Sequence, residues 1–378
     1  MLKLIVALLL VACSLAAPSL KAAEKVLEQK AIPKDVPNAL IPNVIQHAPH
    51  TIVGSQLDTE DWQPPTIYTT MKIGTPGTSF TLQIDLYFEN MLLTGPKCNS
   101  LSCHGVNNNR TIYDPTKSSS SKDQGDPVKE RYGTPVNGEY YSDNIAVDSI
   151  SDTDVAFAVL SSASQQYYRV NVDGVFGLSF LGNPRGKKNF DSPVNSILKG
   201  ADQKIVSLWF NKATSNDDRY GTVTFGKLNT DKCNSDIQYL LVSDDDFSFR
   251  VQKIRFGKLV AHRELSGRID PQQRMIGLPT TIYNDLLRVA GATAGTNSVS
   301  CSSVKDIKLE IKIGGNFYSL DNSDFVVKQS SSSSYCTLLI QDNGDEFDTG
   351  YVLGEPFFRR NCITYDIDNS EIGFSAAK

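Results

Sequence analysis

The sequence predicts an all-β fold made of two similar lobes with a few short helices. From Thr66 onward, short segments of alternating apolar and polar residues recur between Gly, Pro, Asn and Ser, which is typical of antiparallel strands. The segments with this pattern include TIYTTMKIGT, EYYSDNIAV, GTVTFGKL, FRVQKIRFG and KLEIKIGGNFYSL. Only DSPVNSILKGA, which starts with an N-cap and ends at Gly200, and PTTIYNDLLRVAG, which has a short apolar face, favour helices.

An internal repeat is the reason for predicting two lobes. LQIDLYF around Asp85 is matched by GRIDPQQ around Asp270, and DGVFGLSF at 173–180 is matched by GYVLGEPF at 350–357. Each half therefore has an apolar strand ending in Asp and, downstream, two apolar residues followed by Gly. A duplicated β fold explains this correspondence better than chance.

The N-terminus reads as a secretory signal peptide over residues 1–16. A lysine precedes the apolar run from Leu4 to Ala12, and small residues follow it. Residues 17–61 are polar and contain several prolines, which predicts an extended arm or short propeptide. We expect an N-terminal lobe over 62–222 and a C-terminal lobe over 223–378, with no membrane span. The predicted location is secreted or extracellular, and a lysosomal or other luminal compartment is the alternative.

Composition excludes several classes of function. The formal net charge of −5 does not indicate a nucleic-acid binder. The four His residues are scattered and form no HExxH pattern, and CNSLSC has no second Cys or His pair elsewhere to complete a metal site. We therefore expect neither a metal nor a cofactor.

Cysteine usage agrees with an oxidising compartment. Cys13 leaves with the signal peptide, and the remaining six favour three disulfides, although sequence alone allows fifteen pairings. These six are Cys98, Cys103, Cys233, Cys301, Cys336 and Cys362. The triplet NRT at Asn109 is a glycosylation sequon in a polar stretch.

From about Thr66 to the C-terminus the chain resembles the pepsin-like aspartic peptidases. KIGTPGTSFTLQID resembles the entry strand of that family, CNSLSC its first disulfide loop, and RYGTPVNGEYYSD its flap hairpin, with Tyr132 at the flap tyrosine. DGVFGLSF and YVLGEPFFRRNCITYDIDNSEIGF resemble the two closing strands, and VSCSSVKDIKLEIKIGGNFYSL the C-lobe segment that carries another disulfide. The order and spacing of these motifs make the resemblance specific.

The resemblance implies a two-lobed fold with a cleft, in which Asp85 and Asp270 face each other on the floor. In such enzymes the two carboxyl groups share a proton, and one acts as base on a bound water while the other acts as acid. It also implies the disulfides Cys98–Cys103 and Cys301–Cys336, which leaves Cys233 with Cys362. Tyr132 is then either a tyrosine that caps the bound peptide or an ordinary hairpin aromatic.

The chain departs from the family at the residues that support the two Asp side chains. The family pattern Asp-Thr-Gly-Ser/Thr is replaced by Asp-Leu-Tyr-Phe at 85–88 and by Asp-Pro-Gln-Gln at 270–273. Both threonine hydroxyls and both glycines are lost, and Pro271 also lacks a backbone N–H. Phe88 stands where the family has a hydroxyl, and Leu92 where a Trp commonly supports the flap tyrosine.

These departures favour a secreted, catalytically inactive pepsin-like protein that binds a peptide or protein in its cleft or on its surface. On this interpretation Asp85 and Asp270 are vestigial, kept by hydrogen bonds at the strand ends. The alternative is a working aspartic endopeptidase with an atypical active site, and a purely structural or storage protein is a third class without a positive feature. We expect a monomer in each case.

Overall fold

The structure, a computed structural model, describes most of the chain after Tyr68 and one segment before it. The described residues are 25–29, 68–86, 88–105, 109–128, 131–132, 134–147, 150–164, 167, 172–179, 191–199, 201, 203–211, 221–242, 247–271, 273–345 and 350–378. The predicted signal peptide lies outside them.

Strands dominate the first half of the chain, in agreement with the alternating sequence pattern. They are β1 (Lys25–Gln29), β2 (Tyr68–Ile73), β3 (Thr78–Asp85), β4 (Met91–Thr94), β5 (Lys122–Val128), β6 (Arg131–Tyr132), β7 (Thr134–Pro135), β8 (Asn137–Val147), β9 (Ile150–Ser162), β10 (Gly174–Gly177), β11 (Ile205–Phe210) and β12 (Gly221–Phe225).

The second half is built in the same way. Its strands are β13 (Gln238–Leu241), β14 (Phe249–Phe256), β15 (Leu259–Ala261), β16 (Leu265–Ile269), β17 (Ile276–Leu278), β18 (Ser298–Ser300), β19 (Leu309–Ile313), β20 (Asn316–Leu320), β21 (Val326–Lys328), β22 (Tyr335–Leu338), β23 (Ile340–Asp342), β24 (Tyr351–Leu353), β25 (Asn361–Asp366) and β26 (Glu371–Ala376).

The helices are short, and the two predicted ones are confirmed. Within the described ranges the α-helices with defined bounds are α1 (Leu101–His104), α2 (Pro193–Leu198), α3 (Thr280–Ala290), α4 (Asn322–Phe325) and α5 (Glu355–Phe358), with single 3-10 turns at Pro115–Lys117 and Cys301–Ser303. Ser192 caps α2 by accepting a hydrogen bond from the backbone N–H of Asn195. Helix α3 buries Ile282, Leu286 and Ala290, which are four residues apart, and ends at Gly291 with a φ of 69°.

Each half of the chain forms its own sheet. The N-terminal half gives a seven-stranded sheet in the order β2-β3-β10-β4-β9-β8-β5. The C-terminal half gives an eight-stranded sheet that contains β20-β19-β14-β16-β24-β17-β23, with β15 paired to β14. The duplicated, all-β, two-lobed fold predicted from the sequence is confirmed.

A third sheet joins the halves. It has six strands in the order β1-β12-β11-β25-β26-β13, so that the last two strands of the chain lie between strands from the middle of the sequence. Val206 of β11, for example, pairs with Tyr365 of β25. Strand β1, from the N-terminal arm, pairs antiparallel with β12 at one edge. One face of this sheet contributes Val206, Leu208 and Ile363 to the main hydrophobic core.

Three disulfides connect the six described cysteines in the pairing that the family resemblance implied. Cys98–Cys103 closes the loop that carries α1, and Cys301–Cys336 joins the 3-10 turn at 301–303 to β22. Cys233–Cys362 ties the segment before β13 to β25 across a sequence separation of 129. No helix within the described ranges is long and apolar enough to cross a membrane.

The disulfides should differ in their contribution to stability. Replacing Cys233 and Cys362 by Ala should lower the free energy of unfolding by about 4–5 kcal/mol, because this bridge restricts a long loop of the unfolded chain. The same change at Cys98 and Cys103, which are 5 residues apart, should cost about 2 kcal/mol. Urea unfolding of the two double variants measures both values. Equal losses, or the reverse order, would contradict the assignment of the long bridge as the main covalent constraint.

Candidate functional site

The first Asp of the repeat lies at the end of a buried strand. Strand β3 ends at Asp85 and pairs in parallel with β10, so that Gly177 lies opposite Asp85, while β10 pairs antiparallel with β4 on its other side. The backbone N–H of Leu178 donates to the carbonyl of Asp85 at 2.7 Å, and that of Ser179 donates to Phe88 at 3.0 Å. The turn after Asp85 is therefore held by the chain that leaves β10.

The second Asp has an equivalent position. Strand β16 ends at Ile269, immediately before Asp270, and pairs in parallel with β24, which is antiparallel to β17. The N–H of Asp270 donates to Leu353 at 3.1 Å, and the N–H of Glu355 donates to Gln273 at 2.7 Å. The internal repeat seen in the sequence thus corresponds to a repeated arrangement of three strands.

Two glycines, Gly177 and Gly354, occupy equivalent positions beside the two Asp turns. A Cβ atom added at Gly177 would be closer than 3.0 Å to the carbonyl oxygens of Phe88 and Asn90. One added at Gly354 would overlap the carbonyl oxygens of Gln273 and Met275 in the same way. Because these oxygens belong to residues three and five positions after each Asp, both turns fold onto a glycine of the neighbouring strand.

The side chains beside the two Asp residues are apolar. Leu86 is half-buried and packs against the main hydrophobic core. Pro271, at the corresponding place in the second turn, is buried. Tyr87 and Gln272 lie outside the described residues. Neither Leu86 nor Pro271 has a hydroxyl, so neither forms a side-chain hydrogen bond between the turns.

Phe88 belongs to a second hydrophobic cluster in the N-terminal half. It is 7% exposed and clusters with Leu92 and Tyr140 and with Val128 and Val136, which flank the tip of the predicted flap hairpin. The ring therefore belongs to the same buried cluster as the hairpin stem, at a position where the family resemblance led us to expect a hydroxyl.

The predicted flap is a β-hairpin. Val128 of β5 pairs with Gly138 of β8, and at the tip Arg131 pairs with Pro135 and Tyr132 pairs with Thr134. The backbone thus places Tyr132 at the hairpin tip, and its side chain lies outside the described part of the structure. The buried stem valines fix the base of this hairpin to the turn that follows Asp85.

Asn90 is a residue of this site that the sequence analysis did not identify. It is 1% exposed, its carbonyl accepts a hydrogen bond from Gly177 at 2.9 Å, and its Nδ2 donates to Oη of Tyr140 at 3.4 Å. The amide therefore links the first Asp turn to β8 of the hairpin. The sequence does contain one signal for this residue: Asn90 is a lone amide directly before the apolar run MLLTG. An amide that is buried with such a run requires hydrogen-bond partners.

The charge of Asp270 affects the pKa of Tyr365, a buried tyrosine in the six-stranded sheet that joins the halves. Burial, and secondarily the negative charge of Asp270, raises the pKa of Tyr365, which is 5% exposed. The second Asp turn is thus electrostatically coupled to β25, the strand that joins both halves. Among the described residues no group of three His, Cys, Asp or Glu side chains is placed to hold a metal ion.

Comparison with known proteins identifies the family. A family model described as eukaryotic aspartyl protease matches residues 66–377, which include both Asp turns and all three disulfides. The chain belongs to the eukaryotic aspartyl protease family. The match covers the seven-stranded and eight-stranded sheets completely, and both repeated Asp turns lie within it.

Relatives in this family are similar along most of their length. Aspartic protease 6 of Caenorhabditis elegans is 24% identical over 351 residues, covering 89% of this chain and 86% of the relative. Pepsin A of Gallus gallus is 25% identical, with coverage of 84% and 87%, and the acid protease of Saccharomycopsis fibuligera is 25% identical, with coverage of 82% and 80%. The likeness therefore extends over both lobes of the aspartyl protease fold.

The glycines that receive the two turns should not tolerate a side chain. Gly177→Ala and Gly354→Ala should each lower the free energy of unfolding by about 3 kcal/mol or more, because a methyl group would overlap backbone oxygens that cannot rotate away. Gly77→Ala is the matched control, since a Cβ atom there would meet Cβ of Lys72 at 3.1 Å and no backbone oxygen closer than 3.6 Å. Urea unfolding should show a loss below about 1 kcal/mol for the control, and similar losses at all three positions would contradict the close approach.

Restoring a hydroxyl at Phe88 should damage the fold. Phe88→Ser removes a buried ring from the cluster under the hairpin stem and should cost about 3–5 kcal/mol of unfolding free energy. Leu86→Thr, at a half-buried position, should cost less than about 2 kcal/mol. Thermal and urea unfolding measure both variants, and a Phe88→Ser variant as stable as the parent chain would show that the cluster does not depend on this ring.

Proposed function

We propose that the protein is a secreted pepsin-like protein that does not cleave peptides and that binds a peptide or protein through its cleft or surface. One observation carries the proposal: the four residues beside Asp85 and Asp270 that support a working pair of carboxyl groups in the family are all replaced. The replacements are Leu86, Tyr87, Pro271 and Gln272.

The chemistry explains why these replacements matter. Two carboxyl groups that share a proton must be held within direct hydrogen-bonding distance of each other and of the attacking water. Leu86 packs into the core instead of bonding across to the opposite turn, and Pro271 has no N–H to direct at a carboxylate. A displacement of a catalytic group by about 1 Å costs roughly a hundredfold in rate. In this chain both turns have lost the threonine hydroxyl that bonds across to the opposite turn in the family.

Peptide binding does not require the side chains that position the two carboxyl groups for catalysis. Val128 and Val136 of the hairpin stem are buried in the same cluster as Phe88, so the element that covers a bound peptide in the family keeps a packed base. The turns themselves are held by backbone hydrogen bonds to Leu178, Ser179 and Leu353. A peptide-binding groove with inert carboxyl groups is consistent with these contacts.

The second candidate function is an active aspartic endopeptidase with an atypical site. It is favoured by one observation, the retention of both Asp residues at equivalent ends of parallel strand pairs. Backbone contacts alone would then have to position the two carboxyl groups. The apolar and bulky replacements in both turns count against this alternative.

The location and modification belong to the same proposal. Residues 1–16 have the features of a signal peptide, three disulfides form in the folded chain, and Asn109 of the NRT sequon is exposed. Together these features support a glycoprotein in an extracellular or luminal compartment. We propose that it is a monomer. The lobe boundaries that we propose are residues 62–222 and 223–378.

Proteolysis is the decisive measurement. The purified chain should show no inhibitor-sensitive cleavage of a denatured protein between about pH 2 and 6, the range in which a shared-proton pair operates. A variant with Leu86→Thr, Tyr87→Gly, Pro271→Thr and Gln272→Gly should gain weak activity at most, because Phe88 and Leu92 remain. Single replacements should gain none, since half a support leaves the carboxyl groups misplaced.

Controls separate the two candidate functions. If the unmodified chain cleaves substrate and Asp85→Ala abolishes the cleavage, the protein is an active endopeptidase and the proposal is wrong.

Peptide binding is tested separately. An immobilised chain should retain peptides from a random mixture, and the Tyr132→Ala variant should retain fewer of them than the Tyr335→Ala variant. Tyr335 is a matched control because it is 52% exposed and lies on β22, outside the repeated turns. If no peptide is retained, the proposal that the chain binds peptides is contradicted.

A further inference from the structure

A groove lies away from both Asp turns, beside the outer strand of the C-terminal sheet. It has a volume of about 720 Å³, and residues 316–319 of β20 form one wall while the residues after α5 and the end of β26 form others. We call it the β20 groove. Successive residues of a strand point to opposite faces of its sheet. Because four consecutive residues of β20 line the groove, it runs along the edge of the strand and not over one face.

The hydrogen-bond pattern of β20 shows which backbone groups point into this groove. A two-residue turn at 314–315, in which both glycines have a positive φ, joins β20 to β19, and Ile313 pairs with Asn316 at its base. The pair that closes such a hairpin is hydrogen-bonded, and bonded and non-bonded pairs alternate beyond it. Phe317 and Ser319 therefore direct their backbone N–H and C=O groups away from β19, toward the open edge.

These outward backbone groups have no partner in the part of the chain that the structure describes. No backbone or side-chain hydrogen bond reaches the N–H or C=O groups of Phe317 and Ser319 from outside the β19 pairing. Both residues are half-buried, whereas Phe374 and Ser375 are buried in the floor of the groove. A bound molecule therefore meets the edge of β20 and not the side chains of the floor.

The edge of β20 lacks the features that protect other strand edges. Open edges in folded proteins usually carry charges, proline or a bulge. Strand β5, at the edge of the N-terminal sheet, has all three: Lys122, Asp123, Asp126 and Pro127 lie on it, and its pairing with β8 shifts register. Strand β20 reads NFYSL, without charge or proline, and its pairing with β19 is regular. Its edge is therefore suited to pairing with another strand.

The arginines that line the groove are already paired. Arg359 donates to Glu355 at 3.0 Å, and Arg360 binds the carboxylates of Asp321 and Asp324. Three carboxylates and three cations of the described residues form this network: Glu355, Asp321 and Asp324, with Arg359, Arg360 and Lys308. An anionic partner therefore gains little here, because each cation is held by a carboxylate.

Asp236 and Lys378 are the other charged side chains of the lining, one of each sign. Asp236 is exposed and accepts a hydrogen bond from Gln238 at 3.0 Å. Lys378 donates to the carbonyl oxygen of Thr230 at 2.5 Å. The side chains of the groove thus carry no excess charge. A partner without net charge is favoured, because a charged one loses hydration without gaining a free counter-charge.

We propose that the β20 groove binds an extended, uncharged peptide segment of another protein, which adds to the C-terminal sheet as a further strand. The N–H and C=O groups of Phe317 and Ser319 have the spacing of a strand ladder, which another extended backbone matches at both residues. A β-branched or aromatic residue is favoured opposite Phe317, where its side chain packs beside the ring. This site deepens the proposed binding function, but it shares no residue with either Asp turn.

A short model strand tests the proposal on the full chain. The probe is acetyl-Thr-Val-Thr-Val-Thr-amide, and the comparison peptides carry Glu or Lys in place of Thr. The neutral probe should bind with a Kd on the order of 1 mM. At ten times that concentration, solvent exchange of the Phe317 and Ser319 amide protons, followed by NMR, should slow about tenfold. The amide of Tyr318, which already bonds to β19, should change little.

Variants at Ser319 assign the binding to the strand edge. Ser319→Pro removes an outward N–H without breaking a bond to β19, and it should weaken probe binding about tenfold. Ser319→Ala is the matched control, since it keeps the backbone and removes only the hydroxyl that donates to Glu310 at 3.2 Å. Its binding should stay within about twofold of the parent chain.

A second measurement keeps the test valid if the Ser319→Pro variant does not fold. The peptide acetyl-Thr-Pro-Thr-Pro-Thr-amide lacks two backbone donors and should bind the unmodified chain about tenfold more weakly than the valine probe. Equal binding of the two peptides would contradict strand addition, because a ligand held by its side chains alone would not depend on these N–H groups.

The other results that overturn the proposal are equally defined. They are no binding of the neutral probe at about 10 mM, charged peptides that bind as tightly as the neutral one, and unchanged binding by a folded Ser319→Pro variant. Probe binding that falls with Tyr132→Ala but not with Ser319→Pro would place the peptide in the cleft, which supports the proposed function and contradicts this site. Self-association that Ser319→Pro abolishes would assign the edge to a second copy of the chain instead.

Discussion

The closure of each Asp turn on a glycine of the neighbouring strand is the constraint on which the rest of the structure depends. Gly177 and Gly354 leave room for carbonyl oxygens three and five residues after each Asp, and adjacent N–H groups bind those turns. These contacts involve backbone atoms only. The fold therefore positions both turns whatever side chains they carry, and the residues that support catalysis in the family can change without loss of the two lobes.

This separation explains how the chain keeps the family fold with altered turns. Leu86 and Phe88 contribute apolar surface to two hydrophobic clusters, so the replacements improve burial where hydroxyls would need partners. The ring of Phe88 lies in the same buried cluster as the hairpin valines Val128 and Val136. Position 88 thus contributes packing in this chain, where the family pattern has a hydroxyl.

Local patterns made most of the fold predictable, and long-range pairing set the limit. Alternation predicted the strands, an N-cap and an apolar face predicted the two longest described helices, and the Asp and glycine motifs predicted the repeat. The joining sheet was not predicted, because pairs such as Val206 with Tyr365 leave no local signal. Asn90 was missed for a similar reason, since its partners lie on β10 and β8, far along the chain.

The docking of the last strand on the C-terminal lobe arises from the same long-range assembly. Phe374 belongs to the joining sheet and Tyr318 to the edge of the C-terminal sheet, and their rings pack with centroids 5.3 Å apart. Cys233–Cys362 fixes this junction, because it binds β25 to the segment before β13. The disulfide and the packing of Tyr318 on Phe374 therefore stabilise the same two strands, β25 and β26, which unite both halves.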